Sequence, residues 1–191
     1  MDALLTSTAV VAFAEIGDKT MLLAIVLATR FKRPAAIILG ILAATLANHF
    51  LAAFVGAQAA SFLEGDWFRY LVAASFIVMA AWTLVPDKLE DEEAPRKTER
   101  FGVFVTTFVA FFLVEMGDKT QIATIALAAR FNDVLMVTLG TTAGMMIANV
   151  PAVFLGHELI RRVRLNVVRM IAAGLFLIIG LWMIAQTAGL F

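Results

Sequence analysis

Two hexapeptides, Glu15-Ile16-Gly17-Asp18-Lys19-Thr20 and Glu115-Met116-Gly117-Asp118-Lys119-Thr120, stand 100 residues apart, each inside a long apolar run. A single charged side chain at the centre of a membrane-spanning helix costs roughly 2.5–3.5 kcal/mol. Each copy places two acids and a lysine there. A chain with this pattern must fold so that the buried charges meet one another, water or an ion. The rest of the sequence is read as the scaffold that brings the two copies together.

The runs around the motifs are too apolar for a soluble core. Of 191 residues, 62% are hydrophobic and 16% charged, and the mean hydropathy is +0.92. Ordinary globular domains are about half apolar and about a quarter charged. The composition predicts an all-α integral membrane protein embedded in a lipid bilayer. Formal net charge is zero, which gives no case for a nucleic-acid partner, and the absence of cysteine excludes disulfides, thiolate metal sites and cysteine nucleophiles. The amino terminus has no basic region before its apolar stretch, and that stretch contains Glu15, Asp18 and Lys19, so it reads as a retained first span.

Six apolar segments follow one another: 4–29, 34–61, 68–85, 101–129, 134–156 and 167–189. Each is long enough for the ~20 residues of a bilayer helix, and strand-like alternation is absent. The halves match beyond the motif. Leu27-Ala28-Thr29-Arg30-Phe31 corresponds to Leu127-Ala128-Ala129-Arg130-Phe131, and Leu39-Gly40 to Leu139-Gly140. Ala47-Asn48 corresponds to Ala148-Asn149 after a one-residue slip, and Gly56 to Gly156. This predicts a first three-helix repeat at 1–86, an acidic linker at 87–100 and a second three-helix repeat at 101–191. Three spans per repeat invert the second copy against the first, an arrangement that puts transporter sites at the midplane where the repeats meet. Eleven basic residues collect on one side (Arg30, Lys32, Arg33, Lys88, Arg96, Lys97, Arg100, Arg161, Arg162, Arg164 and Arg169), against Arg69 and Arg130 on the other. By the positive-inside rule the first side is cytoplasmic and both termini lie outside the cytoplasm. The Glu90-Asp91-Glu92-Glu93 run then belongs to a solvated cytoplasmic linker.

On a continuous helix, Glu15 and Asp18 share a face, as do Glu115 and Asp118. Antiparallel packing of the motif helices converges these four carboxylates, while Gly17 and Gly117 allow close approach of a helix or an ion. Four ionised carboxylates and two lysines sum to −2, the charge that one divalent cation neutralises. Oxygen donors suit Mg²⁺, Ca²⁺ and Mn²⁺. Supporting ligands are Thr20, Thr120, Asn48, Asn149 and Gln121, with His49 the one nearby nitrogen donor. Lys19 and Lys119 read as counter-ions, as tuners of the carboxylate pKa values or as stand-ins for the cation. A purely structural reading also exists: Glu15–Lys19 and Glu115–Lys119 have the i,i+4 spacing of intrahelical ion pairs that would glue helices together. Clustered buried carboxylates accept either a cation or protons. Competition between the two at an alternately exposed site makes a cation/proton antiporter.

At these hexapeptides the chain resembles the small cation/proton exchangers with paired Glu-x-Gly-Asp-Lys/Arg-Thr/Ser motifs, first catalogued as an uncharacterised membrane protein family. Its members include Golgi manganese/calcium exchangers and bacterial manganese exporters. The resemblance covers essentially the whole chain, and both copies match at every defined position. It implies that Glu15, Asp18, Glu115 and Asp118 carry the cation, with Lys19, Thr20, Lys119 and Thr120 in the same motif. It also implies a multi-pass protein of a bacterial inner membrane that exports Mn²⁺, or Ca²⁺, against protons, with no cofactor beyond the transported ion. An exporter of a cationic amino acid or other small organic cation is the alternative on the same fold, and a transport-free membrane scaffold is a third class. An enzyme is disfavoured, because neither His49 nor His157 pairs with an evident nucleophile.

Overall fold

The computed structural model describes residues 1–63, 65–85, 102–156 and 164–190. The linker at 87–100, with its acidic run, and the basic residues Arg161 and Arg162 lie outside them. The described residues form eight α-helices and no strands: α1 (Asp2–Glu15), α2 (Lys19–Phe31), α3 (Pro34–Phe62), α4 (Asp66–Thr83), α5 (Gly102–Glu115), α6 (Lys119–Phe131), α7 (Val134–Leu155) and α8 (Leu165–Thr187). Three of them, α3, α7 and α8, are each long and apolar enough to cross a membrane.

The segments that carry the motifs are not continuous helices. Each breaks within its hexapeptide, between α1 and α2 and between α5 and α6. Ile16 is extended, Gly17 has φ +87°, and Asp18 is extended again before α2 restarts at Lys19. Gly117 has φ +79° and Asp118 repeats the extended conformation. A positive φ is open to glycine and strained for a residue with a Cβ. The glycines therefore serve the break itself, which corrects the expectation that they thin a regular helix. The following turns end alike too, at Lys32 and Asn132, both left-handed, each returning its N–H to a carbonyl four residues back (Ala28 and Ala128).

Each broken segment packs on the long helix of the other half. α7 lies along α1 and α2, and α3 lies along α5 and α6; α3 and α7 also meet, and α4 packs on α8. The glycines of the long helices fix this arrangement. A Cβ on Gly40 would come within 2.9 Å of the Phe104 carbonyl oxygen and 2.7 Å of Thr107 Cβ. A Cβ on Gly140 would come within 2.6 Å of the Leu4 carbonyl oxygen and 2.9 Å of Ser7 Cβ. The two contact sets differ by 100 in sequence number and are reciprocal between the halves. Small residues let backbones approach where lipid supplies no hydrophobic drive between helices. Gly56 and Gly156 do not share a role. Gly56 presses on the Ile125 backbone, whereas Gly156 ends α7 with φ +56° and open space around it.

Two apolar clusters bracket the breaks. One joins α1 and α6 with α4 and α8 through Val10, Phe76, Leu127 and Phe176. The other joins α2 and α5 with α3 and α7 through Leu23, Ile41, Phe111 and Val153. Since α1 and α6 run into one cluster and α2 and α5 into the other, the four helix ends at the motifs lie between them. Large apolar side chains such as Phe54, Leu71, Val78, Leu113, Ile147 and Ile178 face outward, as expected of a surface solvated by lipid.

Candidate functional site

At the two breaks, helix ends of opposite polarity carry acids of different kinds. Glu15 and Glu115 close α1 and α5, while Asp18 and Asp118 are the N-cap residues of α2 and α6. A helix N-terminus bears a partial positive charge that favours a carboxylate, and a C-terminus a partial negative charge that opposes one. The aspartates are thus relieved by their own helices, while the glutamates add their charge to an end that is already negative.

The lysines accentuate that difference. Lys119 Nζ lies 2.6 Å from Asp18 Oδ1, and Lys19 Nζ lies 3.6 Å from Asp118 Oδ1. Each lysine crosses to the aspartate of the other copy. The regular i,i+4 geometry expected of Glu15–Lys19 and Glu115–Lys119 is absent from both copies, because no helix runs through either motif. That spacing has its meaning only on a regular helix. The crossed pairing was the feature least accessible to sequence reasoning, although the identical spacing of the two copies is its signal.

Glu15, Glu115 and Asp118 each offer a carboxylate oxygen within 4.8 Å of the other two, and all three residues are buried. Asp18, expected as a fourth member, is buried beside them in sequence but turned to Lys119. Thr20 donates its hydroxyl to Glu15 Oε2 at 2.5 Å. Thr120 reaches Glu115 Oε2 at 3.3 Å and Asp118 Oδ2 at 3.4 Å. Among the described residues, Glu15 Oε1 and Glu115 Oε1 accept no hydrogen bond. Leaving a buried polar atom unmatched costs about 1–3 kcal/mol, more when it is charged.

The remaining candidates separate. Asn48 donates its amide to the Phe112 carbonyl at 3.0 Å and so ties α3 to α5. Asn149 bonds within α7, to the Met145 carbonyl at 3.1 Å and its sulfur at 2.9 Å, and its buried Oδ1 accepts nothing among the described residues. Gln121 is committed to the break, where its Oε1 accepts the Gly117 N–H at 2.8 Å. His49 is fully buried, with Nε2 3.9 Å from Glu115 Oε2.

Interrupted helices, carboxylates converging at the interruptions and lysines holding the flanking acids define a membrane protein with a buried cluster of ionisable groups. The sequence comparisons agree. The chain belongs to the divalent cation/proton antiporter GDT1 family, matching it over residues 3–91 and 103–189. It is 47% identical over 182 residues to a Vibrio cholerae protein named "Putative manganese exporter", covering 95% of this chain and 90% of that one. It is 32% identical to a GDT1-like protein of Synechocystis over 85% of this chain and 87% of that one. With GDT1-like protein 5 of Arabidopsis thaliana the identity is 28%, over 92% of each. No solved structure matches the chain significantly.

Proposed function

We propose that the chain exports a divalent cation from the cytoplasm in exchange for protons, Mn²⁺ ahead of Ca²⁺, by alternating exposure of the site at Glu15, Glu115 and Asp118. The observation that carries the reading is the group of three buried carboxylates with oxygens within 4.8 Å of one another. Calcium–oxygen distances are about 2.3–2.6 Å, so oxygens on opposite sides of one ion stand about 4.6–5.2 Å apart, and somewhat closer around a smaller ion. With Asp18 and Asp118 paired to the two lysines, Glu15 and Glu115 retain the two negative charges that a divalent ion offsets. The C-terminal ends of α1 and α5 add to that negative potential. When the ion leaves, two protons on the same oxygens restore neutrality, which couples the fluxes.

In this reading α1–α2 and α5–α6 each form one broken span, giving six spans in two inverted three-helix repeats, 1–86 and 101–191. The reciprocal seating of Gly40 on Phe104 and Thr107 and of Gly140 on Leu4 and Ser7 supports it. Both termini then lie outside the cytoplasm, in a multi-pass protein of a bacterial inner membrane. The identity to the Vibrio cholerae protein favours manganese. The test is flux in proteoliposomes of the purified chain. Wild type should move Mn²⁺ in response to a pH gradient, and Glu15→Gln or Glu115→Gln should lower that flux by at least about 100-fold, the upper end of what losing only an outer-shell partner costs. Flux at the wild-type level in either variant, or flux indifferent to the gradient, would overturn the assignment.

A further inference from the structure

His49 is a buried polar group that neither the fold nor the motif explains. It sits on α3, next to Asn48, and is completely enclosed. Helix α3 packs against both α5 and α6, so it passes the second break, and His49 Nε2 comes to 3.9 Å from Glu115 Oε2. That is too long for a hydrogen bond. Neither ring nitrogen has a hydrogen-bond partner among the described residues, although a buried imidazole ordinarily gives one N–H to a carboxylate or a carbonyl.

We propose that His49 is a further ligand of the transported ion, sharing it with Glu115 through Nε2, and that this nitrogen makes the site select Mn²⁺ over Ca²⁺. The inference rests on reading Glu15, Glu115 and Asp118 as the divalent site. The distance suits one shared ion. With metal–ligand bonds of about 2.1 Å, two donor atoms stand about 3.0 Å apart at a right angle and about 4.2 Å apart when opposed. The observed 3.9 Å lies between these limits. The chemistry discriminates as well. Calcium fills its shell with oxygen, whereas imidazole binds first-row transition ions. Mn²⁺ is the weakest binder of that series and also takes oxygen donors, so a nitrogen in a carboxylate site shifts the preference toward Mn²⁺ relative to Ca²⁺. Duplication alone does not account for the residue. In the register that aligns Asn48 with Asn149, the second half has Val150 where the first has His49, so the site holds one nitrogen and not two.

Electron spin-echo modulation of Mn²⁺ bound to the purified full chain tests this directly. Histidine labelled with ¹⁵N should change the nitrogen coupling in the wild-type protein, and substitution of the other histidine, His157→Gln, should leave that change intact. His49→Gln should abolish it and lower the ratio of Mn²⁺ to Ca²⁺ affinity by at least about 10-fold, the smallest effect seen when only an outer-shell partner is lost. Stoichiometric Mn²⁺ binding without a histidine coupling would overturn the role of His49 and leave the carboxylate site standing. Equal loss of Mn²⁺ and Ca²⁺ affinity in His49→Gln would mark a structural role and overturn it too. Absence of saturable Mn²⁺ binding by the wild type would remove the carboxylate reading together with this one. The wild-type spectrum decides the question even if His49→Gln fails to fold.

Discussion

The two hexapeptides are nearly the same peptide and make the same break, yet they stand in different surroundings. In the first copy Gly17 is buried, and a Cβ there would strike Leu165 Cδ2 at 2.7 Å; in the second, Gly117 is exposed and open, with nothing within 4 Å. The crossed lysines differ in the same sense. Lys119 is 3% exposed and 2.6 Å from Asp18, whereas Lys19 is 18% exposed and 3.6 Å from Asp118. Thr20 holds Glu15 at 2.5 Å, while Thr120 divides itself between Glu115 and Asp118 at 3.3 and 3.4 Å. A site made of two equal halves would be open to both sides of the membrane or to neither. Alternating access requires that one half be sealed while the other is loose, with the roles exchanged in the opposite state. The differences between the copies are the kind of asymmetry that the exchange proposed above would use.

The lysines give this comparison its largest expected effect. Removing one partner of a buried ion pair strands the other and costs about 3–5 kcal/mol. Lys119→Met should therefore lower the unfolding midpoint of the detergent-purified protein steeply. Lys19→Met should cost about 1 kcal/mol or less, since that pair is longer and partly solvated. Asp18→Asn added to Lys119→Met should recover most of the loss, because the two residues act as one unit. Equal effects of the two lysine substitutions would break the comparison.

Much of this was legible in the sequence, and the failures have a common cause. Hydropathy and the repeat located the segments to within a few residues: 34–61 was expected where α3 runs from Pro34 to Phe62, and 134–156 where α7 runs from Val134 to Leu155. Duplication and charge put Glu15, Asp18, Glu115 and Asp118 in one group, of which the structure brings Glu15, Glu115 and Asp118 together and turns Asp18 to Lys119. What the sequence hid was the break. Periodicity read Glu15 through Lys19 as one helical face, but Gly17 at φ +87° ends that face after Glu15. The i,i+4 geometry expected of Glu15–Lys19 and Glu115–Lys119 goes with it, whereas Glu115 and Asp118 still come together across their break. A glycine flanked by charges inside an apolar run was the available signal. His49 illustrates another limit, since its proximity to Glu115 links residues 66 positions apart through α3 packing that no local pattern encodes.

The glycines come next in expected size. At φ +87° and +79° either alanine replacement forces a side chain into left-handed backbone, worth about 1–2 kcal/mol. Gly17→Ala must also move the Leu165 side chain, which a Cβ would approach to 2.7 Å. That contact is with the far end of a flexible side chain, so the extra cost is small, a few tenths of a kcal/mol on the scale of a shifted rotamer. Thermal unfolding should place Gly17→Ala slightly below Gly117→Ala. The reverse order would mean that the open surroundings of Gly117 do not spare it.

The smallest effect isolates a backbone contact of the second break that the first copy replaces with an apolar side chain. Gln121 accepts the Gly117 N–H at 2.8 Å, and the matching position in the first copy is Met21, fully buried in the apolar cluster of α2, α3, α5 and α7. Gln121→Met gives the second copy the residue of the first. Because Gly117 is exposed, water replaces the lost acceptor, so the change should cost only about 0.5–1 kcal/mol. Unfolding should barely register it. Hydrogen exchange should: the Gly117 amide should exchange about 2–5-fold faster, the factor corresponding to that energy, while the Gly17 amide keeps its rate. Faster exchange at both glycines would mean that the breaks open together, and that the difference between the copies describes one rigid unit rather than two gates.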